Sequence, residues 1–195
     1  MRRFLLSLVV LLISSGSSWA IEFDIWKTGI TRQEMTSLAM QHDIPLARNG
    51  LHHSNKSFNP KLLAGDANSF YHFTTLLDHA AKVRLHLSPQ KGNYGQFLYE
   101  IEILFSDPRK SRDLRPYLLK LLEDKYGPGT KKLDLIRKIW VWYPEKDGEV
   151  HLIAGGASLQ LIYIDSKIKA FAEQLSKSTY DLPKKPLNHQ DSGRF

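Results

Sequence analysis

The sequence predicts an α+β protein made of two units, each a helix followed by a three-stranded antiparallel meander, packed together with the helices on one face. Three observations predict this class: helix start signals, stretches in which apolar and polar residues alternate strictly, and an order of helix, proline and three strands that occurs twice. The repeated order suggests an ancient duplication. It leaves open whether the strands form two sheets or one continuous sheet.

The first unit begins with a helix whose start is marked by Thr31 and Glu34, three residues apart as in a capping box. Pro45 is expected to end it. The three strands are predicted at 69–77, 81–88 and 96–105. Antiparallel pairing of the last two strands collects apolar side chains on one face. On the other face it opposes the charged pairs Arg84–Glu100 and Lys82–Glu102.

The second unit begins with a helix at about 113–126, because leucines recur there at helical spacing and Gly127-Pro128 follows. Its strands are predicted at 137–143, 149–154 and 158–164. Asp165 is expected to cap a last helix. These elements divide the chain into a signal peptide (1–20), a first half (21–106), a second half (107–180) and a polar, disordered tail (181–195).

The first twenty residues have the layout of a cleavable secretory signal. Arg2 and Arg3 precede an apolar run at 4–13, and the segment ends in Ser18-Trp19-Ala20, with small side chains at the positions that a signal peptidase reads. The run is too short for a membrane-spanning helix. We therefore expect a periplasmic or secreted protein whose mature chain begins at Ile21.

Composition narrows the classes of function. The chain contains no cysteine, which excludes disulfides, zinc–thiolate sites, a thiol nucleophile and a lipid-bearing cysteine. Its formal charge is +7, and loss of Arg2 and Arg3 with the signal leaves about +5. Such a balance could favour anionic partners, but a solvated, mildly basic surface is the ordinary explanation. Basic and acidic residues alternate along most of the chain and export removes the usual target, so nucleic acid is not expected as a partner.

The segment 28–34, Thr-Gly-Ile-Thr-Arg-Gln-Glu, resembles the Gly-hydrophobic-Thr-x-x-Glu helix start of the BamE (SmpA/OmlA) family of outer-membrane assembly accessory proteins. The order of helix and meander is similar to that family and to the tandem β-lactamase-inhibitor-protein-like fold. The chain departs from the family in lacking the lipid-bearing cysteine and in having Asp43-Ile44-Pro45 where the family has Leu-Gly-x-Pro. The resemblance implies a non-catalytic envelope protein that presents a surface to another macromolecule.

Two histidines are candidate metal ligands. The predicted pairing of the first two strands places His72 opposite His86, with β-carbons about 5 Å apart. A zinc site normally needs three or four ligands, and His79 in the turn or His52-His53 in the long loop could supply a third. Ordinary surface histidines are the alternative, and Arg84 nearby would oppose a cation. Glu100 and Glu102 could similarly form a carboxylate pair, but an ion-paired ladder on a strand face explains them as well.

The second meander supplies the candidate binding surface. If its aliphatic residues face the helices, the opposite face collects Trp140, Trp142, His151 and Gln160, flanked by Lys138. Two exposed tryptophans would form an apolar patch suited to docking. The alternative is that this face is covered by the first half of the chain.

These observations predict an exported, periplasmic, non-catalytic binding module without a cofactor, which contacts an envelope protein or another macromolecule through its second sheet. A histidine-based metal binder or metal-dependent enzyme is the alternative. A carrier of a small ligand is a third possibility, which requires a pocket between the two halves.

Overall fold

The computed structural model describes residues 20–48, 68–90, 95–105, 110–133, 136–155 and 158–180. Residues 1–19 of the predicted signal peptide and the predicted tail at 181–195 lie outside the described residues. Within the described residues, no helix has both the length and the apolar character that crossing a membrane requires.

Ten strands and three helices are described, and they are numbered here in chain order. A short hairpin comes first, followed by a helix and four strands: β1 (Glu22–Phe23), β2 (Trp26–Lys27), α1 (Arg32–Gln41), β3 (Ala47–Arg48), β4 (Ser69–Leu76), β5 (His79–Leu87) and β6 (Leu98–Phe105). The rest of the chain forms α2 (Lys110–Tyr126), β7 (Thr130–Leu133), β8 (Arg137–Glu145), β9 (Gly148–Gly155), β10 (Ser158–Asp165) and α3 (Ser166–Tyr180).

The prediction of two packed helix-plus-three-strand units is wrong, because the chain is mostly β and builds one large sheet. Eight antiparallel strands are hydrogen-bonded in the order β3-β4-β5-β6-β10-β9-β8-β7, and β1 and β2 form a separate pair. The third strand of each meander joins them, with Leu161 opposite Ile103 and Tyr163 opposite Ile101. Strands β3 and β7, which the sequence analysis did not predict, extend the sheet at its two edges.

The two faces of the sheet differ in chemistry. The core face carries Leu85, Ile101 and Tyr163, all of them buried. The second face carries Arg84 and Glu100, because side chains alternate along each strand. The predicted pairing of β5 with β6 was displaced by two residues: Arg84 lies opposite Glu102, and His86 lies opposite Glu100. A displacement of two keeps the side chains from Ala81 to His86 on their predicted faces, but the register shifts again between His86 and Leu87, which brings Leu98 opposite Leu87.

The prediction that all helices lie on one face is also wrong. Helix α1 packs on the core face, where the Arg32 guanidinium lies 5.2 Å from the centre of the Phe70 ring. Helix α2 contributes Leu118 to the same core. Helix α3 follows β10 onto the second face, where Lys169 Nζ donates to Glu100 Oε2 at 2.7 Å.

Local signals in the sequence set the helix ends. At the start of α1, the Thr31 side chain accepts from the backbone N–H of Glu34, and the Glu34 carboxylate accepts from the backbone N–H of Thr31, which confirms the predicted capping box. Asp165 Oδ1 accepts from the backbone N–H of Ile168 at 2.9 Å, which confirms the predicted cap of α3. Gly127, at φ 80°, follows α2 with the left-handed backbone typical of a helix end.

Candidate functional site

An apolar cleft of about 580 Å³ lies between α2 and the core face of the sheet. It is the feature of the described residues that best fits a binding site, because small-molecule sites are concave, mostly apolar and of this size. Its lining comes from the N-terminal hairpin, the turn between β4 and β5, both central strands and α2: Phe23, Leu76, Leu77, Ile103, Phe105, Leu118, Leu121, Leu122, Asp124, Lys125, Leu161 and Tyr163.

The floor of the cleft is the junction between the two meanders. Ile103 and Phe105 come from β6, and Leu161 and Tyr163 come from β10, which pairs with it. All four side chains are buried. The cleft therefore lies where the sequence analysis required a pocket for a small-ligand carrier, between the two halves of the chain.

Helix α2 forms one wall. Leu118, Leu121 and Leu122 line it, because residues three and four apart share one helix face. Leu118 and Leu122 are buried, whereas Leu121 is 41% exposed. Leu121 therefore lies where the cleft opens to solvent.

The turn between β4 and β5 also lines the cleft, and its backbone is unusual. Leu76 pairs with His79, so Leu77 and Asp78 alone make the turn, with φ values of 51° and 61°. Two-residue hairpin turns with positive φ at both positions strongly favour Asn and Gly. Leu77 occupies the first of them, lines the cleft and is 44% exposed. A left-handed backbone at a leucine costs roughly 1–2 kcal/mol, and such strain is characteristic of functional positions.

The N-terminal hairpin closes the third side. Phe23 lines the cleft, and its ring centroid lies 5.5 Å from that of Tyr163. The hairpin is held on the core face by Trp26, which is fully buried and donates from Nε1 to His72 Nε2 at 3.3 Å.

The polar groups of the lining are few. Asp124 and Lys125 belong to the last turn of α2, and the remaining polar group is the Tyr163 hydroxyl. Burial raises the pKa of Tyr163, so the phenol stays neutral. Among the lining residues, the walls offer neither a nucleophile paired with a base nor a set of metal ligands. The cleft is suited to holding an apolar group.

The predicted tryptophan surface is not assembled in the structure. Trp142 lies opposite Val150 and Trp140 lies opposite Leu152, so both indoles belong to the core face. Trp142 is 2% exposed and donates from Nε1 to the carbonyl of Gly127 at 2.9 Å, while Trp140 is half-buried. Lys138 is exposed on the same face.

A single irregularity explains the error. Glu145 pairs with Gly148 and Trp142 pairs with Val150, which leaves one extra residue in β8 between these two pairs. Without it, Tyr143 would lie opposite Val150, and the indoles would point to the other face. His151 and Gln160 do lie on the second face, where His151 pairs with Ile162 and Gln160 pairs with Ile153. The sheet therefore separates them from Trp140, Trp142 and Lys138.

The predicted histidine pair is also separated. His72 lies opposite Val83 on the core face, and His86 lies opposite Ser69 on the second face. The position of the turn is the physical reason for this separation. The turn lies at Leu77-Asp78, earlier in the chain than the pairing of His72 with His86 requires, so each histidine pairs with a different residue. His72 and His86 cannot bind one ion from opposite faces. Within the described residues, no group of three or more metal-ligating side chains was found.

Glu100 and Glu102 take part in an ion-paired cluster on the second face. Arg84 Nη1 lies 2.9 Å from Glu102 Oε2, and His86 Nε2 lies 3.6 Å from the same oxygen. The contact with His86 lowers the pKa of Glu102, burial opposes that effect, and Arg84 lowers the pKa further. Lys169 pairs with Glu100, so both carboxylates are ion-paired, although their partners differ from the predicted Arg84–Glu100 and Lys82–Glu102.

Comparison with models of protein families, with curated proteins and with solved structures found no match to this chain. The resemblance of residues 28–34 to the BamE family therefore stays a prediction.

Sequence reasoning missed the cleft, although two of its signals were readable. The leucines of α2 recur at helical spacing, and Leu121 shares their apolar face although it is 41% exposed. The Leu77-Asp78 dipeptide is an uncommon sequence for a tight turn. The pairing of β6 with β10, which brings the walls together, has no local signal.

Proposed function

We propose that this protein is an exported, non-catalytic binding module of the bacterial cell envelope, and that its ligand is an acyl chain held in the apolar cleft. The observation that carries the proposal is the cleft itself, open to solvent at Leu121 and Leu77 and lined by aliphatic and aromatic side chains from both meanders.

The chemistry of the walls selects the ligand class. Leu76, Ile103, Leu118 and Leu161 offer only dispersion contacts and exclusion of water, which favour hydrocarbon over a polar metabolite. Each methylene group transferred from water into such a site contributes about 0.8 kcal/mol. The charged groups Asp124 and Lys125 lie on the last turn of α2, where a polar head group could remain hydrated.

The strained leucine supports the same reading. An asparagine or glycine at position 77 would relieve the backbone but remove an apolar wall. A leucine kept in this conformation is consistent with a side chain that serves the cleft rather than the turn.

A fluorescent fatty acid tests the proposal. Dansylaminoundecanoic acid is expected to bind saturably, with a blue shift of its emission and displacement by unlabelled palmitate. Leu121→Glu places a charge in the opening and is expected to weaken binding at least tenfold. Tyr117→Glu is the matched control, because Tyr117 is 52% exposed on the same helix and does not line the cleft. Equal affinity of the two variants, or no saturable binding by the wild type, would contradict the proposal.

Export is tested separately. The full-length chain, expressed in a Gram-negative host, is expected in the periplasmic extract with an N-terminus at Ile21. Replacement of Arg2 and Arg3 by aspartate is expected to leave unprocessed protein in the cytoplasm. Unprocessed wild-type protein in the cytoplasmic fraction would refute this part of the proposal without bearing on the cleft.

A further inference from the structure

Strands β7 and β8, at one edge of the described sheet, carry two apolar side chains that are almost fully exposed where the strands approach each other's ends. Leu133 at the end of β7 is 80% exposed, and Ile136 just before β8 is 84% exposed. Isolated exposed leucines are ordinary, but two large aliphatic side chains at one end of a strand pair are costly to leave in water.

The same end carries a concentration of positive charge. Lys131 and Lys132 precede Leu133, and Arg137 and Lys138 follow Ile136, and all four side chains are exposed. The sequence 131–138 contains one acidic residue, Asp134, so the segment has a net charge of +3. We call this surface the basic hairpin end: Lys131, Lys132, Leu133, Ile136, Arg137 and Lys138.

We propose that the basic hairpin end binds the surface of a membrane that contains anionic lipids, with Leu133 and Ile136 inserted among the head groups. Clusters of lysine and arginine are attracted to such surfaces, and each cation near the surface raises the partition coefficient about fivefold. The two aliphatic side chains then contribute through transfer out of water. Basic charge alone would suit any polyanion, and it is the apolar pair that selects a lipid surface.

An acidic protein segment is a less fitting partner. An extended acidic peptide could pair with the free edge of β7 and meet Lys131 and Lys132. Ile136 lies outside β7, beyond the reach of that pairing, and it would stay exposed. A second copy of this chain at the same edge would bring its own lysines against these lysines, which is unfavourable.

The basic hairpin end lies at the same end of the sheet as the turn that lines the cleft. Leu133 pairs with Lys138, Arg137 pairs with Gly155, and Ser158 follows at the start of β10. Phe105 opposite Leu159, and the Leu77 turn beyond it, continue the same end across the sheet. Membrane binding here does not depend on the cleft having a ligand, so the inference goes beyond the proposed function.

Vesicle co-sedimentation tests the inference with the mature chain. Binding is expected to equimolar phosphatidylcholine–phosphatidylglycerol vesicles, to fall steeply with added salt, and to be absent with phosphatidylcholine alone. Lys131→Gln with Lys132→Gln is expected to weaken partitioning about 25-fold. Leu133→Ser with Ile136→Ser is expected to weaken it by tenfold or more.

Two controls match these variants in exposure. Met40→Ser removes a side chain that is also 80% exposed, from α1, and Lys146→Gln removes an exposed cation from the opposite end of β8. Both are expected to bind like the wild type. Undiminished binding by the Leu133/Ile136 variant, or equal binding to polyglutamate in place of vesicles, would overturn the inference. Leu121→Glu separates the two proposals, because it is expected to weaken fatty-acid binding at least tenfold and to leave vesicle binding unchanged.

Discussion

The indole of Trp26 donates a hydrogen bond to the imidazole of His72 and fixes the N-terminal hairpin to the core face of β4, with Nε1 and Nε2 3.3 Å apart. Both side chains are buried, and their ring centroids lie 5.7 Å apart. Since His72 Nε2 accepts this bond, the imidazole is neutral and carries its proton on Nδ1. Protonation of Nε2 would break the contact that holds one side of the cleft.

This relationship predicts a stability that declines in mild acid. Burial lowers the pKa of His72 from its ordinary value of 6.5, so the unfolded chain binds this proton more readily than the folded chain. The contribution is fully present above pH 6.5 and is lost as pH falls toward the lowered pKa, by up to about 1.4 kcal/mol per pH unit. Urea unfolding between pH 7.5 and 5 measures it.

His72→Gln keeps an acceptor for Trp26 and removes the titration, so the slope in this pH range is expected to disappear. His42→Gln, at an exposed position after α1, is the control and is expected to keep the slope of the wild type. A slope that survives in His72→Gln would show that another group is responsible.

The ion pair on the second face predicts a different acid response. Glu102 is 8% exposed, and Arg84→Met would leave its carboxylate without the guanidinium. The variant is expected to lose about 2–3 kcal/mol at neutral pH. The lowered pKa of Glu102 stabilises the fold above its ordinary value of 4.5 and ceases to do so as pH falls, so the deficit of the variant shrinks in acid.

Unfolding midpoints at pH 7 and pH 3.5 test this expectation. Lys27→Met breaks the exposed pair with Glu22 and is expected to change the midpoint little, because both partners are hydrated. An equal deficit for Arg84→Met at both pH values would contradict the assigned role of the carboxylate.

The turn at Leu77 predicts that one substitution raises stability and lowers ligand affinity. Leu77→Asn relieves the strain of a left-handed backbone at a leucine and is expected to raise the free energy of unfolding by about 1 kcal/mol. It also removes part of the cleft wall, so affinity for the fluorescent fatty acid is expected to fall. Asp78→Asn, at the neighbouring turn position outside the cleft lining, is expected to leave affinity unchanged. A Leu77→Asn protein that binds more tightly would argue against this role for Leu77.

The buried indole of Trp142 predicts that Gly129 cannot be replaced. A β-carbon at Gly129 would lie 2.5 Å from Trp142 Cε2, and the rigid ring has no free end to give way. Gly129→Ala is therefore expected to cost about 1–3 kcal/mol. Gly95→Ala is the matched control, because its β-carbon would meet only Phe97, at an ordinary 3.7 Å. Similar thermal midpoints for the two variants would mean that the indole can move.

Local features of the fold were predictable from the sequence, and long-range ones were not. Thr31 and Glu34 identified the start of α1, and Asp165 identified the cap of α3, because capping is decided within four residues. The faces of β5 up to His86 and of β6 from Glu100 onward were also right, since a displacement of two residues preserves them, whereas the register shift between His86 and Leu87 was not predicted. The extra residue between Trp142 and Glu145 exchanged the two faces of β8 relative to the prediction. The composition of the strand does not predict such a bulge.

The candidate site was harder to predict than the elements that build it. Its walls come from segments as distant in sequence as Phe23 and Tyr163, and only the pairing of β6 with β10 brings them together. The predicted binding residues were assigned to one face of β8, β9 and β10, and the extra residue in β8 places the indoles on the core face instead. Lys138 alone among them reappears in a proposed surface, the basic hairpin end.

The joining of the two meanders through their last strands has a consequence for folding during synthesis. Until residues 158–165 have emerged, β6 is a sheet edge whose backbone N–H and C=O groups lack the partners that β10 provides, and such edges recruit other chains. The two meanders are joined by contacts between residues far apart in sequence, and sheets with such contacts fold slowly. A chain of this design gains from remaining extended until its last strand is available, and passage through a translocation pore before folding would provide that delay.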